Sequence, residues 1–242
     1  MPARLPSGQD GAVAANRVVL VAGGAGAVGE GIVSALLAGG AEVVVPSRDP
    51  ARLAELASRL GSPPGLRTLV GDVGTPAGAA QVRDAVLAAA GRPDAVVASV
   101  GGWRQGGPLV ETPLADVRAV LDTGLLAHVV CAQVFLPVLP RGGSYLTING
   151  GAAEEPVAGA GPVSISAAGQ LMLTRVLALE SAERGVRVNG LVLGVVATRA
   201  RQAPRPEWIT PEEVGAFVAA LVGDAGAGVS GSVIRLLTRP PR

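Results

Sequence analysis

Apolar runs four to five residues long alternate with Ala/Leu-rich stretches of helical period along the whole chain, the pattern that a parallel sheet wrapped by helices requires. Strands are predicted at residues 17–21, 42–45, 67–70, 95–99, 143–148, 186–192 and 232–236. Helices are predicted at 29–38, 50–60, 76–90, 114–136, 163–184 and 211–222. Several of the strand segments are continuously apolar, such as Val18-Val19-Leu20-Val21 and Val43-Val44-Val45. Strands buried on both faces read this way, so the expected fold class is a single α/β domain with one doubly wound parallel sheet of about seven strands and helices on both faces. No repeat or linker marks a second domain, so residues 17–242 are assigned to that domain and 1–16 to a flexible N-terminal tail.

Composition narrows the partners. With 242 residues the chain can bury a large core, but only 2% of it is aromatic, so Val, Leu, Ile and Ala must build that core. A net charge of +1 supplies no attraction for nucleic acid or an acidic membrane. No uninterrupted apolar run reaches the roughly 18 residues of a membrane span, and residues 1–16 lack the pattern of a secretory signal. The expectation is a soluble, cytoplasmic protein with a small-molecule ligand. The single Cys131 excludes an intrachain disulfide and reads as a small buried hydrophobe. No metal site is expected.

The sharpest motif follows the first strand. Ala22-Gly23-Gly24-Ala25-Gly26-Ala27-Val28-Gly29 holds G-x-G-x-x-G at Gly24, Gly26 and Gly29, between a strand and a helix. Such glycines let the backbone turn tightly and approach a diphosphate, which the free N–H groups and dipole of the helix N-terminus attract. The alternative is a turn whose glycines serve only close helix–strand packing. At the end of the second strand, where an acidic side chain would grip the ribose 2′-hydroxyl of NAD, stand Ser47 and Arg48. A guanidinium suits a 2′-phosphate, so NADP(H) is expected over NAD(H). Against this, Asp49 is adjacent, and Arg48 is equally compatible with a solvated surface charge beside an Asp49 helix cap.

From these residues onward the chain resembles the short-chain dehydrogenase/reductase family over nearly its full length. Gly23, Gly26 and Gly29 match the family's T-G-x-x-G-x-x-G spacing, with Ala22 at the threonine. Asp72-Val73 resembles the pair that meets the adenine, and Ala98-Ser99-Val100-Gly101 stands where the family has Asn-Asn-Ala-Gly. Leu173-Thr174-Arg175-Val176-Leu177-Ala178-Leu179-Glu180 and Arg187-Val188-Asn189 resemble the family's text after the start of its catalytic helix. Leu193-Gly194-Val195-Val196-Ala197-Thr198 resembles its Pro-Gly-x-x-x-Thr segment at the nicotinamide end. The resemblance implies a Rossmann-type fold and a dinucleotide site that includes Gly23, Gly24, Gly26, Val28, Gly29, Ser47, Arg48, Asp72, Val73, Ser99, Gly101, Gly194, Val196 and Thr198.

The acid/base positions depart from that pattern. The resemblance puts the family's asparagine, serine, tyrosine and lysine at Gly124, Gly150, Val163 and Ala167, and the chain contains no lysine at all. Carbonyl reduction builds charge on oxygen that a proton donor must meet, and neither Val163 nor Ala167 can supply one. Three readings remain: an NADP(H)-binding sensor or non-catalytic partner subunit, an oxidoreductase with a substitute donor, or a non-redox lyase or isomerase using the emptied pocket. His128, Asn149 and Ser164 are the substitute candidates, with His128 one helical turn beyond Gly124. Asp122 reads as local helix electrostatics. Glu154 and Glu155 read as surface carboxylates, and Ser166 reads as flanking the inward-facing positions. Trp103 and Trp208 are expected on the substrate rim, with Arg199, Arg201 and Arg205 facing either an anionic ligand or water. The resemblance also implies a homo-oligomer, or a hetero-oligomer with an active homologue, through the helices that begin near Leu114 and Val163.

Overall fold

The computed structural model describes residues 16–201 and 203–239. Seven parallel strands form one sheet in the order β3-β2-β1-β4-β5-β6-β7. They are β1 (Val18–Ala22), β2 (Glu42–Ser47), β3 (Leu66–Val70), β4 (Ala95–Ala98), β5 (Ser144–Gly150), β6 (Arg187–Leu193) and β7 (Val233–Leu236). The expected strands all form, each within two residues of its sequence-read bounds. The reading of 1–16 as a tail lies outside the described residues apart from Asn16, whose N–H already donates to the Gly40 carbonyl at 3.2 Å.

Period-2 alternation divides each central strand between two cores. Val19, Val21, Val43, Val45 and Val97 face the core built with α1 (Gly29–Ala38), α2 (Pro50–Arg59) and α7 (Pro211–Val222). Leu20, Ala22, Val44, Val96 and Ala98 face the core built with α3 (Pro76–Ala89), α5 (Ala127–Phe135) and α6 (Gly161–Ser181). Burial of both faces is why these strands tolerate no polar alternation.

The long helix expected at 114–136 is interrupted. It runs as α4 (Leu114–Leu121), a π-helical turn over Asp122–Leu126, and α5. The extra residue of the π turn shifts the helical phase at Gly124. Two stretches, Leu114–Val138 and Gly161–Ser181, are long and apolar enough to cross a membrane by length and composition. In the fold, α5 and α6 each lay a buried face on the second core.

Two local devices fix the elements around the ligand end. Glycine lets α1 and α7 cross closely: a Cβ on Gly31 would lie 2.1 Å from the Pro211 carbonyl oxygen. The Arg187 guanidinium, mostly buried, donates to the carbonyls of Leu221 at 2.9 Å and Gly226 at 2.6 Å, satisfying the end of α7. Asn189 likewise donates to the Val229 carbonyl at 2.8 Å and accepts from the Ser232 N–H at 3.1 Å. Arg187-Val188-Asn189 is therefore a structural clamp.

Candidate functional site

β1 and β4 are neighbours although two strands lie between them in sequence, so the chain reverses direction across the sheet there. Ligands of open α/β sheets bind at such a switch point, outside the carboxyl ends of the strands. Ser47 and Gly150 are the last residues of β2 and β5, and the glycine turn, Asp72, Ser99, Gly101 and Gly194 follow strand ends on that side.

The glycines of the turn do different things. Gly23 has φ +82°, and a Cβ there would lie 2.1 Å from the Ser99 carbonyl oxygen, so it serves the approach of β1 to β4. A Cβ on Gly29 would lie 2.2 Å from the Gly23 carbonyl oxygen, so it closes the turn on itself. At Gly26 an added Cβ would meet only that same oxygen, at 3.1 Å, and Gly26 is the least crowded of the four. The helix beyond has no side-chain cap at its N-terminus, so its first N–H groups are free of a protein side-chain acceptor. Gly24 packs on Val45 and Val33. Diphosphate chemistry fits this cradle.

The rest of the dinucleotide set is placed as follows. Asp49 caps α2, its Oδ1 accepting from the Ala51 N–H at 2.9 Å, while Ser47 Oγ accepts from the Asp49 N–H at 3.2 Å. Arg48 is exposed and has no ion pair among the described residues. Asp72 Oδ1 accepts from the Gly74 N–H at 2.8 Å, and the Val73 carbonyl accepts from the Cys131 thiol at 3.5 Å. Burial, with Asp72 adding to it, pushes that thiol up to about 12, which leaves Cys131 inert. Gly194 accommodates the Leu237 carbonyl, 2.0 Å from where a Cβ would sit, and Val196 packs in the core. The Thr198 N–H turns back onto the Val196 carbonyl at 2.9 Å.

The four acid/base positions part into two kinds. A Cβ on Gly150 would meet nothing within 4 Å, and Val163 borders a cleft of about 260 Å³ together with Arg104, Glu111, Asp116, Val120 and Pro162. Gly124 is the opposite case: a Cβ there would lie 2.3 Å from Ser166 Oγ and 3.5 Å from Gln170 Nε2. Ser166 thus points inward, 3% exposed, rather than flanking the site, because the π turn brings Gly124 onto its face of α6. Gln170 donates to Ser166 Oγ at 3.4 Å, and Thr174 donates to the Gln170 carbonyl at 2.9 Å. These three polar residues at i, i+4 and i+8 share one face of the helix, a spacing legible in the sequence, but their place as the filling beside Gly124 was not. Ala167 is buried, and its carbonyl accepts from Asn149 Nδ2 at 2.8 Å.

The three substitute candidates are placed as follows. His128 is fully buried; its Nε2 faces the Val100 carbonyl at 3.3 Å, and Nδ1 has no partner. Burial lowers its pKa to about 4, so at neutral pH it is uncharged and holds no acidic proton. Both ends of the Asn149 amide are engaged, its Oδ1 accepting from the Gly150 N–H at 2.9 Å. Ser164 Oγ is buried without a partner. Asp122 and Glu155 are exposed. Glu154 is ion-paired with Arg235, whose hydrogen bond holds the carboxyl below its usual range.

The two tryptophans expected on the substrate rim are placed as follows. Neither tryptophan lines the cleft. Trp103 is 55% exposed on a loop tied down by Gln105 Nε2 to the Ala158 carbonyl and by the Gly106 N–H to the Gly159 carbonyl. Trp208 lies under Arg201 and Arg205, whose guanidinium carbons are 5.4 and 5.9 Å from its ring centre, while Arg199 pairs with Glu30. All three arginines of this loop therefore have partners within the protein. Among the described residues, no three His, Cys, Asp or Glu side chains stand together to hold a metal ion.

This geometry has known counterparts. The family model described as enoyl-(acyl carrier protein) reductase matches residues 23–236. The chain is a member of the short-chain dehydrogenase/reductase family. One relative is the rhamnolipids biosynthesis 3-oxoacyl-[acyl-carrier-protein] reductase of Pseudomonas aeruginosa, 29% identical across 91% of this chain and 94% of its own. Another is the (2S)-[(R)-hydroxy(phenyl)methyl]succinyl-CoA dehydrogenase subunit BbsC of Thauera aromatica, 30% identical across 90% of this chain and 92% of its own. Among solved structures, the Pseudomonas aeruginosa RhlG/NADP active-site complex superposes with a TM-score of 0.85 at 26% identity, covering 93% of this chain and 96% of that one.

Proposed function

We propose that the protein binds NADP(H) at the β1–β4 switch point and does not carry out the carbonyl reduction of its active relatives, serving as a sensor or as the non-catalytic subunit of a pair. The observation that carries this is the contrast between the open glycine cradle and the four acid/base positions, which hold Gly124, Gly150, Val163 and Ala167.

Gly26 and the uncapped start of α1 would hold the diphosphate, with Gly23, Gly24, Val28 and Gly29 shaping the turn. Asp72, Val73, Ser99 and Gly101 would border the adenine and ribose, and Gly194, Val196 and Thr198 the nicotinamide end. Asp49 is committed to its helix cap while Arg48 is exposed, which favours a 2′-phosphate over a 2′-hydroxyl. The complex of the RhlG structure with NADP supports the same preference. A bound nicotinamide would supply a hydride donor or acceptor. This chain's residues would then orient the cofactor without offering a proton at the oxygen of a substrate.

The subunit role draws on two observations. Ile165, Met172, Val176 and Leu179 form one exposed apolar stripe on α6, and Leu126 of the π turn is 49% exposed. One relative is itself named as a dehydrogenase subunit. The stripe is proposed as the face that pairs with a second copy or with an active homologue.

Calorimetric titration with NADPH and NADH tests the reading. Micromolar NADPH binding, weaker NADH binding and no NADPH oxidation with 3-oxoacyl or simple ketone substrates are expected. Turnover at rates typical of a dehydrogenase would overturn the non-catalytic role; binding of neither nucleotide would overturn the cofactor assignment.

A further inference from the structure

The loop after β6 has a fixed base. Val196 bridges Ile209, with the Ala197 N–H donating to the Ile209 carbonyl at 2.7 Å and the Ile209 N–H to the Val195 carbonyl at 3.1 Å. Ile209 is fully buried, and the next residue, Thr210, opens the capping box of α7 with Glu213. Two of the loop's arginines fold back on its own Trp208. The third, Arg199, crosses 169 positions of sequence to an ion pair with Glu30.

Glu30 lies in the first turn of α1, the helix whose N-terminus faces the glycine cradle. A carboxylate there is favoured by the helix dipole, but it repels a diphosphate seated on the same N-terminus. Arg59 also meets Glu30, its Nε 3.0 Å from both carboxylate oxygens, and it reaches Glu55 at 3.3 Å. Arg199 is 47% exposed and Glu30 21% exposed, so their pair is weak enough to exchange partners.

We propose that Arg199 and Glu30 form a latch that holds the start of this loop against the mouth of the dinucleotide site. An arriving diphosphate competes with Glu30 for the Arg199 guanidinium, so cofactor entry releases the latch. The ligand in this scheme rests on the NADP(H) reading above; the latch itself does not.

Hydrogen exchange read by mass spectrometry on peptides covering the loop tests the latch in the full-length protein without ligand. Glu30→Gln and Arg199→Gln each raise exchange at the Thr198 and Arg201 amides about two- to five-fold, and the double variant does no more than either alone. Arg199→Lys, which keeps the charge, stays near the unmodified rate. Wild-type exchange in both single variants would sink the latch, whatever the cofactor does.

NADPH titration of the same variants tests the competition. Glu30→Gln, which frees Arg199 for the diphosphate, tightens binding about two- to five-fold, and Arg199→Gln weakens it by a similar factor. A purely structural pair would move both affinities the same way, and that result would overturn the competition. Absence of NADPH binding to the unmodified protein would remove the cofactor reading and the competition together, while the exchange data would still decide the latch.

Discussion

The two halves of the sheet treat their glycines in opposite ways. On the β1 side, Gly23 and Gly29 are glycines because backbone carbonyls stand where a Cβ would go, and Gly26 leaves the approach to a helix N-terminus uncrowded. On the α6 side, Gly150 borders empty space, and Gly124 is occupied by the hydroxyl of Ser166. The first set preserves a shape that a ligand needs. The second stands where the family resemblance puts acid/base side chains, and at Gly124 the hydroxyl of Ser166 fills the space a Cβ would take. The two sets can differ in this way because they are held by different elements.

That contrast can be broken by mutation, and the largest effect falls on the cradle. Gly29→Ala forces a Cβ to 2.2 Å from a backbone oxygen that has nowhere to move. The expected loss is about 3 kcal/mol or more of stability, together with loss of NADPH binding, read by thermal unfolding and calorimetry.

Next comes the pH dependence that buried His128 imposes. Its pKa falls from 6.5 to about 4 in the fold. Between those values the unfolded chain binds the proton and the native state does not, so stability is lost as pH falls from 6.5 towards 4 and is constant above. The full difference is about 3 kcal/mol, and His128→Gln should remove that part of the slope in urea titrations at pH 7 and pH 4.5.

The contrast between Gly124 and Gly150 is sharper still as a pair. Gly124→Ala should cost about 1–3 kcal/mol, and adding Ser166→Ala should return most of it, because the clash is with Oγ alone. Gly150→Ala should shift stability by less than about 0.5 kcal/mol. Equal costs at the two positions would mean that the packing difference is not real. Back on the cradle, Arg48→Ala should weaken NADPH about ten-fold, roughly 1.4 kcal/mol, and leave NADH unchanged in the same titration. Equal effects on both nucleotides would remove the 2′-phosphate reading.

Much of the scaffold was readable because its signals are local. A strand buried on both faces must be apolar throughout, and a glycine run between strand and helix constrains the backbone within eight residues. Counting back from Leu177-Ala178-Leu179-Glu180 then put the family's tyrosine and lysine at Val163 and Ala167, counting back from Phe135-Leu136-Pro137 put its asparagine at Gly124, and its serine fell at Gly150 in Ile148-Asn149-Gly150-Gly151. Counting could not show which of these positions is open. It also placed Ser166 beside the site rather than in it, since the π turn that rotates Gly124 onto Ser166 has no strong local signature. The partners of Arg199, Arg201 and Arg205 within the protein were likewise not legible, because they are fixed by loop closure and not by spacing.

Residue type and short-range periodicity pointed to the parallel sheet and the glycine turn after β1, the sequence holds no lysine, and the family resemblance implied which positions stand where a proton donor would be. A side chain that is missing from the sequence is missing in every conformation. Tertiary structure decided everything that depends on distant segments meeting: the inertness of His128, the plug at Gly124, the clamp of Arg187 on α7 and the pairing of Arg199 with Glu30. Those outcomes depend on burial and on distances between elements, which the linear order of residues does not contain.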